Sequence, residues 1–263
     1  MWSCQYGKQT MFSCVDIGQG DKRRAGSPRA FPALFLGGST DTPELRGLTQ
    51  LATKIPFRMG RTIFEEGERA DCAFGVSQGV VRLYKLLPDG RRHIVAFALP
   101  GDFLGMPLAE RRGCSADAIG EVSLCRFSRD ELGTLIGKSP KLTRLLLDFA
   151  ARKLNMARDQ LLLLGNGSAE EKVAIFLVDW RKRLEPLVAI SHPLPLPMPR
   201  QDIADFLGLK LETVSRTLAK LEQKNVIRLV PKGVFLNGLE DTALVTGRTA
   251  QPRAGIRWTD EST

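Results

Sequence analysis

The stretch "LETVSRTLAK" places Glu212, Ser215 and Arg216 three and one residues apart, so on a helix an acid, a hydroxyl and a guanidinium share one face. The trio is not a nucleophile with its base. The chain holds only two histidines, His93 and His192, and no phosphate-binding loop, so no active site is expected. The chemistry that fits is recognition of base edges. Arg216 can donate two hydrogen bonds to guanine O6 and N7, Glu212 can accept from cytosine N4 or orient Arg216, and Ser215 can meet a donor or an acceptor. A carboxylate facing DNA is repelled by phosphates, so Glu212 makes sense for sequence readout and not for indiscriminate binding. Arg200, Lys210, Thr213 and Lys220 are the candidate contacts to the DNA backbone.

Such residues need a helix set at a defined angle. In "RQDIADFLGLKLETVSRTLAKL", Ile203, Ala204 and Leu207 give a first helix its apolar face, and Ala204 permits close packing. Gly208 supplies the turn, and Val214, Leu218 and Leu221 repeat the apolar face in a second helix. An Ala-to-Gly spacing of four and a Gly-to-Val spacing of six meet the requirements of a helix-turn-helix, against the plainer alternative of an αα-corner. Pro199 leads into it, and "NVIRLVPKGVFLNG" follows as two strands around Pro231, Lys232 and Gly233, which makes a winged helix.

A second copy of the recognition helix is supplied by pattern. Residues 139–165, "SPKLTRLLLDFAARKLNMARDQLLLLG", read as a long helix capped by Ser139, opened by Pro140 and stopped by Gly165. Leu147, Leu154 and Leu161 repeat by seven with Ala150, Ala157 and Leu164 between them, a dimerising seam with small residues for close approach. A second stripe of Leu142, Leu146, Phe149, Met156 and Leu163 is placed to face the preceding domain. The alternative is a core helix packed on both sides within one chain. After it, Val173, Ala174, Phe176, Leu177 and Trp180 lie at helical spacing, and "SHPLPLPMP" then breaks the chain.

Upstream, residues 45–138 carry short apolar runs split by "EEGE", "SQG", "PDG" and "PGD", the texture of an antiparallel β-roll or jelly roll. "VVRLYKLLPDGRRHIVAF" reads as a hairpin with Asp89-Gly90 at its tip. Residues 1–44 and 244–263 lack periodicity and are expected to be a flexible arm and tail. The fold class is therefore α+β, a β-roll, a dimerisation helix and a winged helix-turn-helix over 166–243.

A formal charge of +9 favours acidic partners such as nucleic acid. It does not locate them, because residues 166–240 hold 11 Lys and Arg against 9 Asp and Glu. No apolar run approaches the roughly 20 residues that span a bilayer, and no secretory signal is evident. A cytoplasmic protein is expected. Five cysteines without CxxC spacing (Cys4, Cys14, Cys72, Cys114 and Cys125) are expected to be free thiols there.

With these residues in view, the chain resembles the CRP/FNR superfamily in its FNR/FixK branch. "RQDIADFLGLKLETVSRTLAKLE" is similar to that branch's helix-turn-helix, whose recognition helix carries E-x-x-S-R, and "SAEEKVAIFLVDW", "RLYKLLPDGRRHIVAFALPGDFLGM" and "RMGRTIFEEGERAD" extend the likeness over about residues 50–240. Within the branch it is most similar to the FixK and AadR type of alphaproteobacterial regulators. The resemblance implies a homodimer that reads a palindrome of TTGAT-type half-sites in double-stranded DNA and activates genes of low-oxygen metabolism. It puts Glu212, Ser215 and Arg216 on base-reading positions and Pro88, Asp89, Gly90 and Arg91 on a surface that meets RNA polymerase.

Two expectations depart from the superfamily. FNR itself holds an iron–sulfur cluster with three closely spaced N-terminal cysteines and one in the roll. Cys125 sits where the roll cysteine belongs, but the arm offers only Cys4 and Cys14. A 4Fe-4S cluster, which takes four thiolates, is therefore not expected unless Cys72, Cys114 or another ligand is recruited. The cyclic-nucleotide pocket of the superfamily uses an acid and an Arg-Ser pair; the corresponding "GDFLGMPLAERRGCSADA" has no such pair, and Arg111 and Arg112 are expected on a solvated loop. No cofactor and no cyclic nucleotide are expected. The alternative retained is a regulator gated by haem, nitric oxide, a cluster or another small effector in the roll, with His93 the only histidine there.

Overall fold

A computed structural model describes residue 35 and residues 42–105, 110–187 and 193–237. The readings made for the N-terminal arm, including Cys4 and Cys14, for His192 and for the tail lie outside the described residues. The chain enters on helix α1 (Pro43–Leu51), whose first turn is capped by the Thr42 hydroxyl accepting from the Leu45 amide at 3.2 Å. Strands β1 (Thr53–Phe57), β2 (Thr62–Phe64), β3 (Cys72–Leu86), β4 (Arg92–Ala98), β5 (Phe103–Leu104) and β6 (Ser115–Ser128) then form one antiparallel sheet. Its order is β1-β6-β3-β4, with β2 added to β6 and β5 to β3.

The roll differs from its sequence reading in a definite way. Runs that read as short strands separated by turns are two long strands, β3 of 15 residues and β6 of 14. Gly79 of "SQG" lies inside β3 at φ +83, beside register shifts between Val76 and Val80. These irregularities bend the paired strands, so one pair lines the roll's interior and continues toward the second domain. Phe64, Phe74, Val76, Val81, Leu104, Val122 and Leu124 fill that interior.

Helix α2 (Arg129–Lys138) was not anticipated, and neither was α1; α2 leads into α3 (Pro140–Asn166). The Ser139 hydroxyl caps α3 by accepting from the Leu142 amide at 3.3 Å, and Pro140 occupies its first turn. The helix runs through Gly165 and ends at Asn166, where the Gly167 amide donates to the Leu163 carbonyl at 3.2 Å. Leu142 and Phe149 are buried against Phe103, Phe127 and Leu132 under the roll, with Leu146 partly buried beside them. Met156, assigned to the same stripe, is exposed instead, while Leu163 packs against the cluster that holds Phe97 and Phe176.

Helix α4 (Ala169–Leu184) starts with a capping box: the Ser168 hydroxyl accepts from the Glu171 amide, and the Glu171 carboxylate accepts from the Ser168 amide. Strand β7 (Leu194–Pro195), helices α5 (Arg200–Leu207) and α6 (Leu211–Gln223), and strands β8 (Ile227–Val230) and β9 (Gly233–Leu236) complete the chain. The wing has three strands in the order β7-β9-β8, one more than the pattern gave, and β7 comes from the proline-rich break. Among the described residues no helix is long and apolar enough to cross a membrane.

Candidate nucleic-acid interface

Helices α5 and α6 are fixed by the residues that the apolar pattern named. Ile203, Ala204, Leu207, Val214, Leu218 and Leu221 are all buried in one cluster with Val173, Phe176, Leu177 and Trp180 of α4. Between the helices Gly208 takes φ +62 and ψ +34, left-handed backbone that costs a residue with a Cβ about 1–2 kcal/mol. The Leu209 amide donates back to the Ala204 carbonyl at 3.0 Å, which closes the turn.

That packing directs the opposite face of α6 outward. Glu212 and Arg216 are exposed, and Thr213 and Ser215 are half-buried at the helix flank. Arg216 and Glu212 make no side-chain hydrogen bond or ion pair among the described residues, so both are available to a ligand. Arg200 opens α5 on the exposed side, and Lys210 stands at the cap position of α6 without capping it. Both are exposed.

Lys220 lies apart from this group. It pairs with Glu170 of α4 at 2.8 Å, and Lys224 pairs with the same carboxylate. Hydrogen bonds from Lys220 and then Lys224 hold the Glu170 carboxyl below its ordinary range. The far end of α6 is thus tied to the start of α4. Glu222 ties it to the wing by accepting from the Leu229 amide at 2.8 Å.

The seam residues of α3 take the opposite face from the roll. Leu147, Leu154 and Leu161 are 66%, 53% and 69% exposed, with Ala157 exposed and Ala150 and Leu164 half-buried between them. Three leucines in register on one helix, left open to water, form an apolar stripe that a single chain does not cover.

The hairpin tip is ordered by its own charges. The Leu87 amide donates to the Arg91 carbonyl at 2.8 Å, and Gly90 takes φ +80. Asp89 accepts from the Arg91 amide at 3.0 Å and from Arg91 Nε at 2.7 Å, which holds its carboxyl below the usual range. Pro88, Asp89, Gly90 and Arg91 are all exposed.

A charged group not anticipated from sequence joins the roll to the helix-turn-helix. Arg82 of β3 donates to both Asp117 oxygens at 2.8 and 2.5 Å and from Nη1 to both Asp202 oxygens at 2.7 Å. Asp202 belongs to the first turn of α5 and is 1% exposed. Burial raises its carboxyl, and Arg82 opposes that shift. Arg92 approaches both carboxylates at 3.8 and 3.9 Å. Nearby, Asp102 accepts from Arg183 of α4 at 3.0 Å and Lys153 of α3 at 2.7 Å. Burial lowers the Lys153 amine below its ordinary value despite Asp102.

The interior of the roll also holds a buried arginine. Arg112 is a correction: it is buried, 5% exposed, with its guanidinium 4.4 Å from the Phe64 ring centroid and donating to the Cys72 carbonyl. Nη1 of Arg112 lies against Gly105, where any side chain would collide with it. The cation turns onto the Phe64 and Phe74 rings, which offset part of the cost of its burial, while its Nε is buried without a hydrogen-bond partner. Arg111 is exposed and donates to the Gly67 carbonyl at 2.8 Å. Cys125 is fully buried in β6, and among the described residues no three His, Cys, Asp or Glu side chains converge as metal ligands. His93 is half-buried in β4, paired across the hairpin with Lys85.

Residues 54–139 match the family model described as a cyclic nucleotide-binding domain, and residues 171–240 match the Crp-like helix-turn-helix domain. The chain is similar to the nitrogen fixation regulation protein FixK of Bradyrhizobium diazoefficiens, 51% identical over 75% of this chain and 84% of that protein. It is 52% identical to the transcriptional activatory protein AadR of Rhodopseudomonas palustris, over 78% of this chain and 86% of the relative. The solved structure of FixK2 from Bradyrhizobium japonicum superposes with a TM-score of 0.70 at 36% identity, covering 76% of this chain and 99% of that one.

Proposed function

Because the chain belongs to the CRP/FNR family, whose members are transcription regulators and not enzymes, we propose that it is a homodimeric activator of genes for low-oxygen metabolism, including nitrogen fixation. The DNA-binding part is the Crp-like helix-turn-helix. The observation that carries the sequence-specific reading is the pair Glu212 and Arg216, exposed on α6 and engaged by nothing else among the described residues. Arg216 reads a guanine of a TTGAT-type half-site, Glu212 accepts from cytosine on the complementary strand or orients Arg216, and Ser215 adds a local contact. Arg200, Lys210 and Thr213 hold the phosphates that set the register. The exposed stripe Leu147, Leu154 and Leu161 joins two copies, so two recognition helices meet the two halves of a palindrome.

The hairpin Pro88–Arg91, rigid and exposed, is the surface offered to RNA polymerase. The roll is proposed to work without a cyclic nucleotide, a reading supported by Arg112 lying buried on Phe64 and Phe74, and without a cluster, because the sequence offers no three-cysteine box. A protein that acts on promoters is placed in the cytoplasm.

Footprinting titrations over a TTGAT palindrome test the reading. Arg216→Ala is expected to weaken binding by about 1–3 kcal/mol for each half-site and to relax specificity at the guanine position. Equal affinity of Arg216→Ala and wild type for that palindrome, or equal affinity of wild type for scrambled DNA, overturns it.

A further inference from the structure

A dimer that reads a palindrome must present its two recognition helices about 34 Å apart and in phase with the groove. The seam on α3 brings two chains together, but it does not aim α6. Between α3 and α4 only Gly167 and Ser168 intervene, with Lys172 of α4 donating to the Leu164 carbonyl at 3.0 Å and Gln160 of α3 to the Phe206 carbonyl at 2.9 Å. Where the helix-turn-helix sits on the roll is set by lateral contacts as well.

Two kinds of contact join it to its own roll. One is apolar: Phe97 of β4 lies against Phe176, Trp180 and Phe206, with ring centroids 6.3, 6.0 and 5.4 Å away. Apolar burial is non-directional and tolerates sliding. The other is polar and has two parts: Arg183 of α4 donates to the Phe97 carbonyl at 2.7 Å and to Asp102 at 3.0 Å, and the ion group of Arg82, Arg92, Asp117 and Asp202 reaches α5. Arg82 spans the boundary with one guanidinium, its Nε and Nη2 on Asp117 of the roll and its Nη1 on Asp202 of α5. The two-nitrogen fork on Asp117 fixes the plane of the guanidinium in the roll, and its Nη1, shared by both Asp202 oxygens, holds the start of α5 against it. A buried pair of this sort stabilises a fold little compared with well-packed apolar residues, and its best-attested use is to select one register. Asp202 stands in the first turn of α5, so rotating or shifting the start of that helix on the roll breaks this contact, while the Arg183 contacts hold α4.

We propose that Arg82 and Asp202 form a directional clasp that sets the angle of the helix-turn-helix on its own roll. The clasp thereby sets the spacing at which the dimer accepts two half-sites. They are positioning residues, remote from the face that reads bases. The inference rests on the homodimer-and-palindrome reading above.

The test uses the full chain and a series of duplexes in which two TTGAT-type half-sites are separated by spacers differing by one base pair. Each added pair moves a half-site by about 3.4 Å along the axis. Wild type is expected to favour one spacer over its neighbours by about tenfold or more. Asp202→Asn, which keeps the shape and removes the charge, and Arg82→Gln are each expected to reduce that preference to about threefold or less. Discrimination between correct and altered bases within a half-site should stay as in wild type. Their double mutant should lose no more than either single change. Should the buried variants fail to fold, Arg92→Gln on the half-buried rim is expected to weaken the spacer preference in part. Unchanged spacer preference in folded Asp202→Asn and Arg82→Gln, or in Arg92→Gln where those do not fold, overturns the clasp and leaves the proposed function standing. Loss of half-site discrimination in step with spacer preference also overturns it. A wild type indifferent to spacing overturns the palindrome reading, and the clasp with it.

Discussion

Replacing Leu154 by glutamate is the most direct challenge to the seam, because its magnitude can be worked from exposure alone. Leu154 sits at the middle of the stripe and is 53% exposed in the single chain. Burying a whole leucine is worth about 1.5–3 kcal/mol, so covering the exposed half contributes about 1 kcal/mol. In a symmetric dimer the residue occurs twice, which doubles that loss to about 2 kcal/mol. Glutamates facing each other across the seam add desolvation and like-charge repulsion, so the total reaches about 3 kcal/mol or more. The dimer dissociation constant is then expected to rise of order 100-fold. Sedimentation over a range of concentrations reads this directly. Circular dichroism should show an unchanged helix content, since Leu154 belongs to none of the buried clusters. An association constant within about threefold of wild type, with the fold intact, would refute the assignment of this stripe to self-association.

Other outcomes follow from single residues. Gly208→Ala is expected to lower stability by about 1–2 kcal/mol in denaturant unfolding, through its left-handed backbone alone, since the nearest side chain to an added Cβ is Leu164 at an ordinary 3.6 Å. Gly79→Ala should cost more, because its φ of +83 is compounded by a collision with the Glu121 carbonyl. The Glu170 carboxyl is lowered by Lys220 and Lys224, so its contribution is present above the unfolded carboxylate pKa and lost as pH falls through the folded value. Thermal unfolding of Glu170→Gln should therefore approach that of wild type in acid and fall below it near neutrality. A constant difference at every pH would contradict the pairing.

The helix-turn-helix was legible because its signal is local: two apolar faces, a glycine between them and outward residues within two turns. The same holds for α3, where the seven-residue repeat marks the stripe that the fold leaves exposed. The roll was less legible in detail. Gly79 reads as a turn in sequence, yet inside a strand a glycine at positive φ makes a bulge, and only pairing partners distinguish the two. The solvated reading of Arg112 failed because charge in a loop usually means water. Nothing local announced Phe64 and Phe74 waiting beneath it. The clasp was invisible for another reason: Arg82 and Asp202 are separated by 120 residues, and only the packed fold brings them together.

The two lysines held by Glu170 bear on how the protein senses its ionic surroundings. Binding to duplex DNA weakens with salt in proportion to the phosphates neutralised, with a logarithmic slope of about 0.9 per contact. Lys220 and Lys224 lie on and just beyond the recognition helix and share the single carboxylate of Glu170, so the trio keeps one positive charge in excess. In the proposed docking they would release fewer counterions than two unpaired lysines. The salt slope of DNA binding is therefore set by the cations that meet phosphates, Arg200 and Lys210 in the proposed interface, and not by the formal charge of +9.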